Sequence, residues 1–234
     1  MSKLATVLRR LARAEPAPMG FAAPSSRTKN REILLAVGIE KPDLEAVKAA
    51  AKAGADFILL AGGDLDKGAA KIKAVTAAVE LPCGLSVARP TSSTVESAHA
   101  AGLDFLRIED DEAPASILLD EEMGYVFSVA DEQSDTSLRL LESTPFDALY
   151  VGALSQPFSI RQQLELRRIS ALARKPLILQ LTDALSSEEF ECLRDSGVGA
   201  LLLEGADASS RLGAALSPST MDRPSLPRLT ITQD

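Results

Sequence analysis

Two glutamates and an arginine stand in short apolar runs that read as strands. Arg107 and Glu109 lie two apart in DFLRIE (104–109), and Glu204 falls near the end of GALLLEG (199–205). Side chains two apart in an extended chain point the same way. Arg107 and Glu109 therefore share the face of Phe105, and Glu204 shares that of Leu202, while Leu106 and Ile108 turn to the opposite, apolar side. The same alternation groups Ser86 with Gly84 and Ala88, Ser128 with Val126, and Gln180 and Thr182 with Ile178. Two carboxylates beside an arginine can divide acid and base roles, or Glu109 and Glu204 can together hold a divalent cation such as Mg²⁺. In either case Arg107 steers a carboxylate, and Ser86, Ser128, Gln180 and Thr182 hydrogen-bond the substrate. The competing reading is a plug in which Arg107 pairs internally with the glutamates and no reaction follows. The desolvation such a plug would cost favours a functional reason for keeping it.

Other residue types narrow the chemistry. A Schiff-base mechanism needs an amine in the site, but Lys48, Lys52, Lys71 and Lys73 fall in helical stretches, Lys175 before a strand, and Lys41 and Lys67 in loops or first turns. The single histidine, His99, lies in the helical run VESAHAAGL and reads as a surface or packing residue, which leaves histidine-ligated zinc without a candidate. Cys83 and Cys192 have no metal or redox spacing and read as core fillers in a reduced, cytoplasmic protein.

Those residues need strands to carry them. From residue 32 onward eight β-rich runs alternate with alanine-rich helical stretches: 33–39, 56–62, 83–88, 104–109, 125–130, 148–154, 176–181 and 199–205, with successive starts 21 to 28 residues apart. Near-continuous apolar runs suit strands buried on both faces of a parallel sheet, and the spacing admits one helix per unit. Helix starts are marked by Pro42-Asp43, by Asp64, by Thr91 or Ser92, and by Ser186-Ser187. Asp110-Asp111-Glu112 ahead of Pro114 reads as the acidic first turn of another helix. Ala53-Gly54-Ala55-Asp56-Phe57 recurs as Ala101-Gly102-Leu103-Asp104-Phe105 and, more weakly, as Ser196-Gly197-Val198-Gly199-Ala200, with Pro145-Phe146-Asp147 at the intermediate place. Four similar helix-to-strand turns suit a closed (β/α)₈ barrel, each glycine ending a helix in a left-handed cap.

The runs KAGADFILL and HAAGLDFLRI, with Pro82 and Pro176 opening strands, resemble the aldolase-type (β/α)₈ or TIM barrels over residues 32–213. The resemblance implies a reactive face at the C-terminal ends of the strands. It also directs attention to the loops after the seventh and eighth strands, where phosphate-binding barrels present glycine-rich backbone. Here these loops read QLTDALSSEE and LEGADASSR, with Gly205 alone and Asp183, Glu204 and Asp207 opposing an anion, although Ser186, Ser187, Ser209 and Ser210 can donate. A flavin phosphate such as that of FMN meets the same objection. Glu40, Asp64, Asp110, Asp111, Glu112, Asp131, Glu132, Asp183 and Asp207 complete an acidic rim.

The chain of 234 residues divides into an N-terminal helix and arm (1–31), the barrel (32–216) and a flexible proline-containing tail (217–234). Leu4, Val7, Leu8 and Leu11 share one face of an amphipathic helix that also carries Arg9, Arg10 and Arg13, and it reads as a cap on the bottom of the barrel or as a membrane-surface or partner-binding helix. Residues 1–32 carry a local charge of +5 within a net −8, so the remainder holds −13, which argues against nucleic-acid binding. No apolar stretch reaches membrane-spanning length. These features predict a small-molecule enzyme of the lyase or isomerase kind. The alternatives are a non-catalytic ligand-binding or scaffolding barrel, docking a protein partner or a second copy through residues 1–31, and a flavin-linked oxidoreductase.

Overall fold

All eight apolar runs become strands in the computed structural model, which describes residues 2–12, 33–62, 65–130, 132–204 and 208, apart from the side chains of residues 11, 12, 66 and 67. The strands are β1 (Leu34–Ile39), β2 (Phe57–Leu60), β3 (Cys83–Val87), β4 (Phe105–Ile108), β5 (Gly124–Ser128), β6 (Ala148–Ala153), β7 (Leu177–Leu181) and β8 (Val198–Glu204). Each pairs in parallel with its neighbours, and Leu34 opposite Ala200 with Ala36 opposite Phe57 joins β1 to both β8 and β2, closing the barrel. A closed sheet leaves no unpaired edge, which is why runs buried on both faces are stable here.

Helices α1 (Lys3–Ala12), α2 (Leu44–Ala53), α3 (Leu65–Thr76), α4 (Ser92–Ala100), α5 (Asp135–Ser143), α6 (Ile160–Ala173) and α7 (Ser187–Arg194) supply the outer layer and the base. Asp43, Thr91 and Ser186 cap α2, α4 and α7 through their side chains, as the sequence predicts. Gly54, Gly102 and Gly197 take φ of 92°, 74° and 87°, so the repeated turn rests on the left-handed conformation that glycine adopts at little cost. The aspartates of the repeat are structural at the bottom of the barrel: Asp56 accepts from the Leu35 amide at 2.9 Å and Asp147 from the Tyr125 amide at 3.3 Å.

One expected helix start is corrected. Asp110 Oδ1 accepts from the Glu112 amide at 3.0 Å, closing a local turn, and a short 3₁₀ helix begins only at Ala115, with Pro114 as its cap residue. An aspartate bonded to the backbone two residues on competes with a helical turn, and a proline has no amide to continue one.

The inward faces of the strands and α1 build a single inner core. Leu4 and Leu8 of α1 are buried against Leu34, Phe57, Phe105, Val126 and Ile178 at the foot of the lumen. The Phe57 and Phe105 rings meet edge to face at 5.8 Å, and a Cβ at Gly84 would overlap the Phe105 ring, so this glycine is a matter of space. Asp104 accepts the Lys3 and Leu4 amides at 2.7 and 2.8 Å, and Ser2 Oγ accepts the Ala5 amide while donating to Asp147. The amphipathic helix thus closes the bottom of the barrel, its otherwise unpaired first amides taken up by a carboxylate. No helix among the described residues is long and apolar enough to cross a membrane. The cap expected at Asp64, the arm at 16–31, and the tail at 217–234 lie outside the described residues, as do Gly63, Asp131, Gly205, Asp207, Ser209 and Ser210.

Candidate active site

With α1 filling the bottom, the polar side chains of the lumen collect at the opposite end, where the strands finish. Ser86 on β3, Arg107 on β4 and Glu109 just beyond it come together: Ser86 Oγ donates to Glu109 Oε1 at 2.6 Å, and Arg107 Nη2 meets the same oxygen at 2.5 Å. Register places Ser86 directly opposite Arg107 on the neighbouring strand. On the far side Gln180 Nε2 donates to Glu204 Oε2 at 2.6 Å.

Tyr150 on β6 connects the two groups. Its hydroxyl donates to Gln180 Oε1 at 2.6 Å, and the Arg107 guanidinium carbon lies 4.2 Å from its ring centroid. A cation over an aromatic face and a charge-assisted pair fix the same guanidinium from two directions. The resulting chain runs Ser86, Glu109, Arg107, Tyr150, Gln180, Glu204. Burial raises the Tyr150 phenol above its ordinary pKa, with Arg107 opposing the rise and Glu204 adding to it. Tyr150 is the participant that reading the sequence missed. The signal was present, since the run ALYVGAL puts Tyr150 on the face of Ala148, which lines the lumen.

Gly38 on β1 makes room for this arrangement, since a Cβ there would lie 2.5 Å from Glu204 Cγ. Ser128 and Arg107 are half-buried, and the buried atoms Ser128 Oγ and Arg107 Nε have no hydrogen-bond partner. Thr182 stands apart from the chain: it is exposed, and its hydroxyl reaches Asp183 Oδ2 at 3.0 Å and, at 3.5 Å, the Leu154 carbonyl. Above β3 and β4, Arg89 bridges Asp110 and Glu112, at 2.5 and 2.6 Å. The Asp110 carboxyl is held below its ordinary pKa, first by the Glu112 amide and then by Arg89.

The remaining candidates fall elsewhere. His99 Nε2 lies 3.0 Å from Asp120 Oδ2 on the outer surface. Lys175, before β7, donates to the Thr144 carbonyl. Cys83 is buried, and desolvation pushes its thiol up to about 12, which keeps it unreactive. Among the described residues no group of three or more His, Cys, Asp or Glu side chains is placed to hold a metal ion. At the β7–α7 loop Ser186 Oγ accepts from the Glu189 amide, and Glu189 Oε2 accepts from the Ser186 amide at 2.9 Å. The carboxylates of Glu188, Glu189 and the neighbouring Asp183 oppose an anion at this helix start. A separate cavity of about 890 Å³ lies in the helical layer, between the outer face of β5–β7 and α6, lined by Val129, Val151, Leu154, Leu166, Ile169 and Leu179. Its floor is apolar and its rim carries Glu132, Arg161, Glu165 and Arg168, whereas the inward-facing polar side chains of the strands converge at the mouth.

No protein-family model and no curated protein sequence matches the chain. Among solved structures it is similar to a mutant tryptophan synthase alpha-subunit from Pyrococcus furiosus, at 16% identity and a TM-score of 0.63, over 77% of this chain and 95% of that one. It is similar to a 3-hexulose-6-phosphate synthase at 17% identity and a TM-score of 0.57, over 79% of this chain and 100% of that one. A third likeness, to 3-keto-L-gulonate-6-phosphate decarboxylase from Vibrio cholerae, has 11% identity and a TM-score of 0.63, over 81% and 97% of the two chains. At these identities the likeness bears on architecture alone, and it agrees with the closed parallel barrel: the chain has a (β/α)₈ barrel fold.

Proposed function

We propose that the chain is a small-molecule enzyme of the lyase or isomerase kind, in which Glu109 and Glu204 exchange protons with a carbonyl substrate at the barrel mouth. The reading is carried by one observation: the two carboxylates sit in a continuous chain of polar contacts around the C-terminal end of the lumen. Side chains held by neighbours on rigid strands are pre-organised for catalysis. Glu204 takes a proton from the carbon next to the carbonyl, and the electron pair passes to the carbonyl oxygen, where Arg107 offsets the developing charge. Glu109 orients Arg107 and Ser86 and relays a proton drawn from solvent to the carbanionic intermediate, while Glu204 releases the proton it gained to solvent, so that both carboxylates are restored. Ser86, Ser128 and Gln180 hydrogen-bond the substrate, with Thr182 at the rim. The fold neighbours include a synthase and a decarboxylase on the same architecture, which is consistent with this class by analogy of fold.

The test is incorporation of solvent deuterium into a panel of small ketones, aldehydes and oxo acids, followed by NMR. Wild-type protein should exchange at least one compound, and Glu204→Gln and Glu109→Gln should each lower the rate by about 10²-fold or more. Equal rates in all three proteins would reject the assignment.

A Mg²⁺ ion between Glu109 and Glu204 is a competing use of the same carboxylates. Their N–H and O–H donors favour the acid–base reading, under which Mg²⁺, Mn²⁺ and EDTA leave the Tm unchanged. A metal-dependent rise that Glu109→Gln removes would replace it. The second reading, a barrel without turnover, is favoured by the internal pairing of Glu109 with Arg107 and Ser86, and absence of exchange across the panel would support it.

A further inference from the structure

The cavity of about 890 Å³ between α6 and the outer face of β5–β7 shares no residue with the chain of contacts at the mouth. β6 is the wall between them: Tyr150 packs on the lumen side, and Val151, next along the strand, lines the cavity. Apolar side chains bound the cavity from both layers. Val129 and Leu154 follow the ends of β5 and β6, Leu179 stands on β7, and Leu166 and Ile169 come from α6. Leu166 and Ile169 are buried, but Ile160 and Leu164, in the first turns of the same helix, line the same space and are 77% and 63% exposed. Residues four apart on a helix share a face. These two therefore form an apolar edge that stays open to solvent. Small-molecule sites with mainly apolar walls have volumes of roughly 300–1,000 Å³, and this one is of that size.

The polar groups at the rim decide the class of ligand. Arg168 is engaged by Asp135, by Glu165 and by the Gln133 carbonyl. Gln162 Oε1 accepts from the Ser159 amide at 2.8 Å and its Nε2 donates to the Ser155 carbonyl at 3.1 Å, so both ends of that side-chain amide are taken up by the β6–α6 loop. Glu132 and Arg161 are exposed and of opposite charge, and with Glu165 and Arg168 the four ionic groups of the rim cancel. A charged head group gains no net attraction from such a rim and loses hydration on entering, whereas an uncharged apolar molecule is favoured by leaving water. We propose that this cavity is a second binding site, for an uncharged apolar small molecule that enters past Ile160 and Leu164. The inference goes beyond the reaction at the mouth and stands whether or not that reaction occurs.

Two dyes built on the same aromatic rings test both the place and the class: N-phenyl-naphthylamine, which is uncharged, and anilinonaphthalene sulfonate, which adds an anionic group. Each is titrated into the full chain and followed by fluorescence. The uncharged dye should bind saturably, and at least about tenfold more tightly than the sulfonate. Leu164→Glu places a carboxylate on the open edge at an exposed position, and with circular dichroism unchanged it should weaken the uncharged dye by about fivefold or more. Leu140→Glu, at a comparably exposed position on α5 outside the lining, should leave binding as it is. Equal losses in the two variants would mean adsorption to apolar surface in general, and indifference to Leu164→Glu would put the dye elsewhere, as in the lumen. Tighter binding of the sulfonate would mean that Arg161 recruits anions. A dimer in sedimentation velocity that Leu164→Glu dissociates would give the groove to a second copy of the chain. Any of these results, or no binding of the uncharged dye, would overturn the proposal.

Discussion

At the scale of single residues, the mouth depends on side chains that touch no substrate. Gly38 leaves the space that Glu204 fills, so Gly38→Ala should destabilise the protein by about 1–3 kcal/mol through overpacking and displace Glu204 from Gln180. Urea denaturation and the exchange assay should report both effects in the same variant. Tyr150→Phe removes the hydroxyl that donates to Gln180 but leaves a ring beneath Arg107. It should cost about 1 kcal/mol in urea, and Tyr150→Leu, which removes the aromatic face too, should cost more. The inward direction of Ser86, Arg107 and Gln180 could be read from two-residue alternation alone. Their partners could not, since whether Arg107 leans on Glu109 or on Glu204 depends on rotamers and on a tyrosine two strands away.

At the scale of elements, α1 is held by chemistry as well as by leucines. Asp147 accepts from Ser2 Oγ and the Tyr125 amide, yet burial dominates and raises its carboxyl above the ordinary value, with Arg9 opposing the rise and Asp104 adding to it. A raised carboxyl favours the protonated form of the folded state. As pH climbs from the usual aspartate value through the raised one, the unfolded chain gives up its proton first and the fold loses stability. Asp147→Asn should flatten this part of the stability–pH curve and leave the protein relatively more stable at neutral pH, as measured by Tm across a pH series. The repeat made this aspartate visible in the sequence, but its link to α1 joins residues 145 apart and no local pattern carries that information. The 3₁₀ segment at Ala115–Leu119 was hidden for a different reason: a run of acidic residues before a proline fits an Asx turn as well as a helix start.

For the whole molecule, the inner core recruits residues from α1 and from several strands, so a perturbation at its foot is shared by all of them. Leu8→Ala should cost about 2–5 kcal/mol, and the protein should still unfold in one transition, with near- and far-ultraviolet signals coincident. An early phase belonging to α1 alone would show that the helix is an accessory to the barrel. Eight-strand closure was legible because each strand of a covered parallel sheet is apolar on both faces, and its spacing records the helix that follows.

The wall of the barrel is regular until β6, where Tyr150 pairs with Ile178 but Ala153, three residues on, pairs with Gln180, only two residues on. One surplus residue is absorbed there, at a place where Gly152 has φ of 84°. The odd–even rule that assigns side chains to lumen or helix layer therefore changes phase after Tyr150. Leu154 ends up buried beside the helical-layer cavity while its amide bonds to the Gln180 carbonyl at 2.9 Å. Removing Gly152 would bring β6 back into step and exchange the surroundings of everything downstream of the tyrosine, so chain length at this seam decides which side chains the β6–α6 loop offers to the opening.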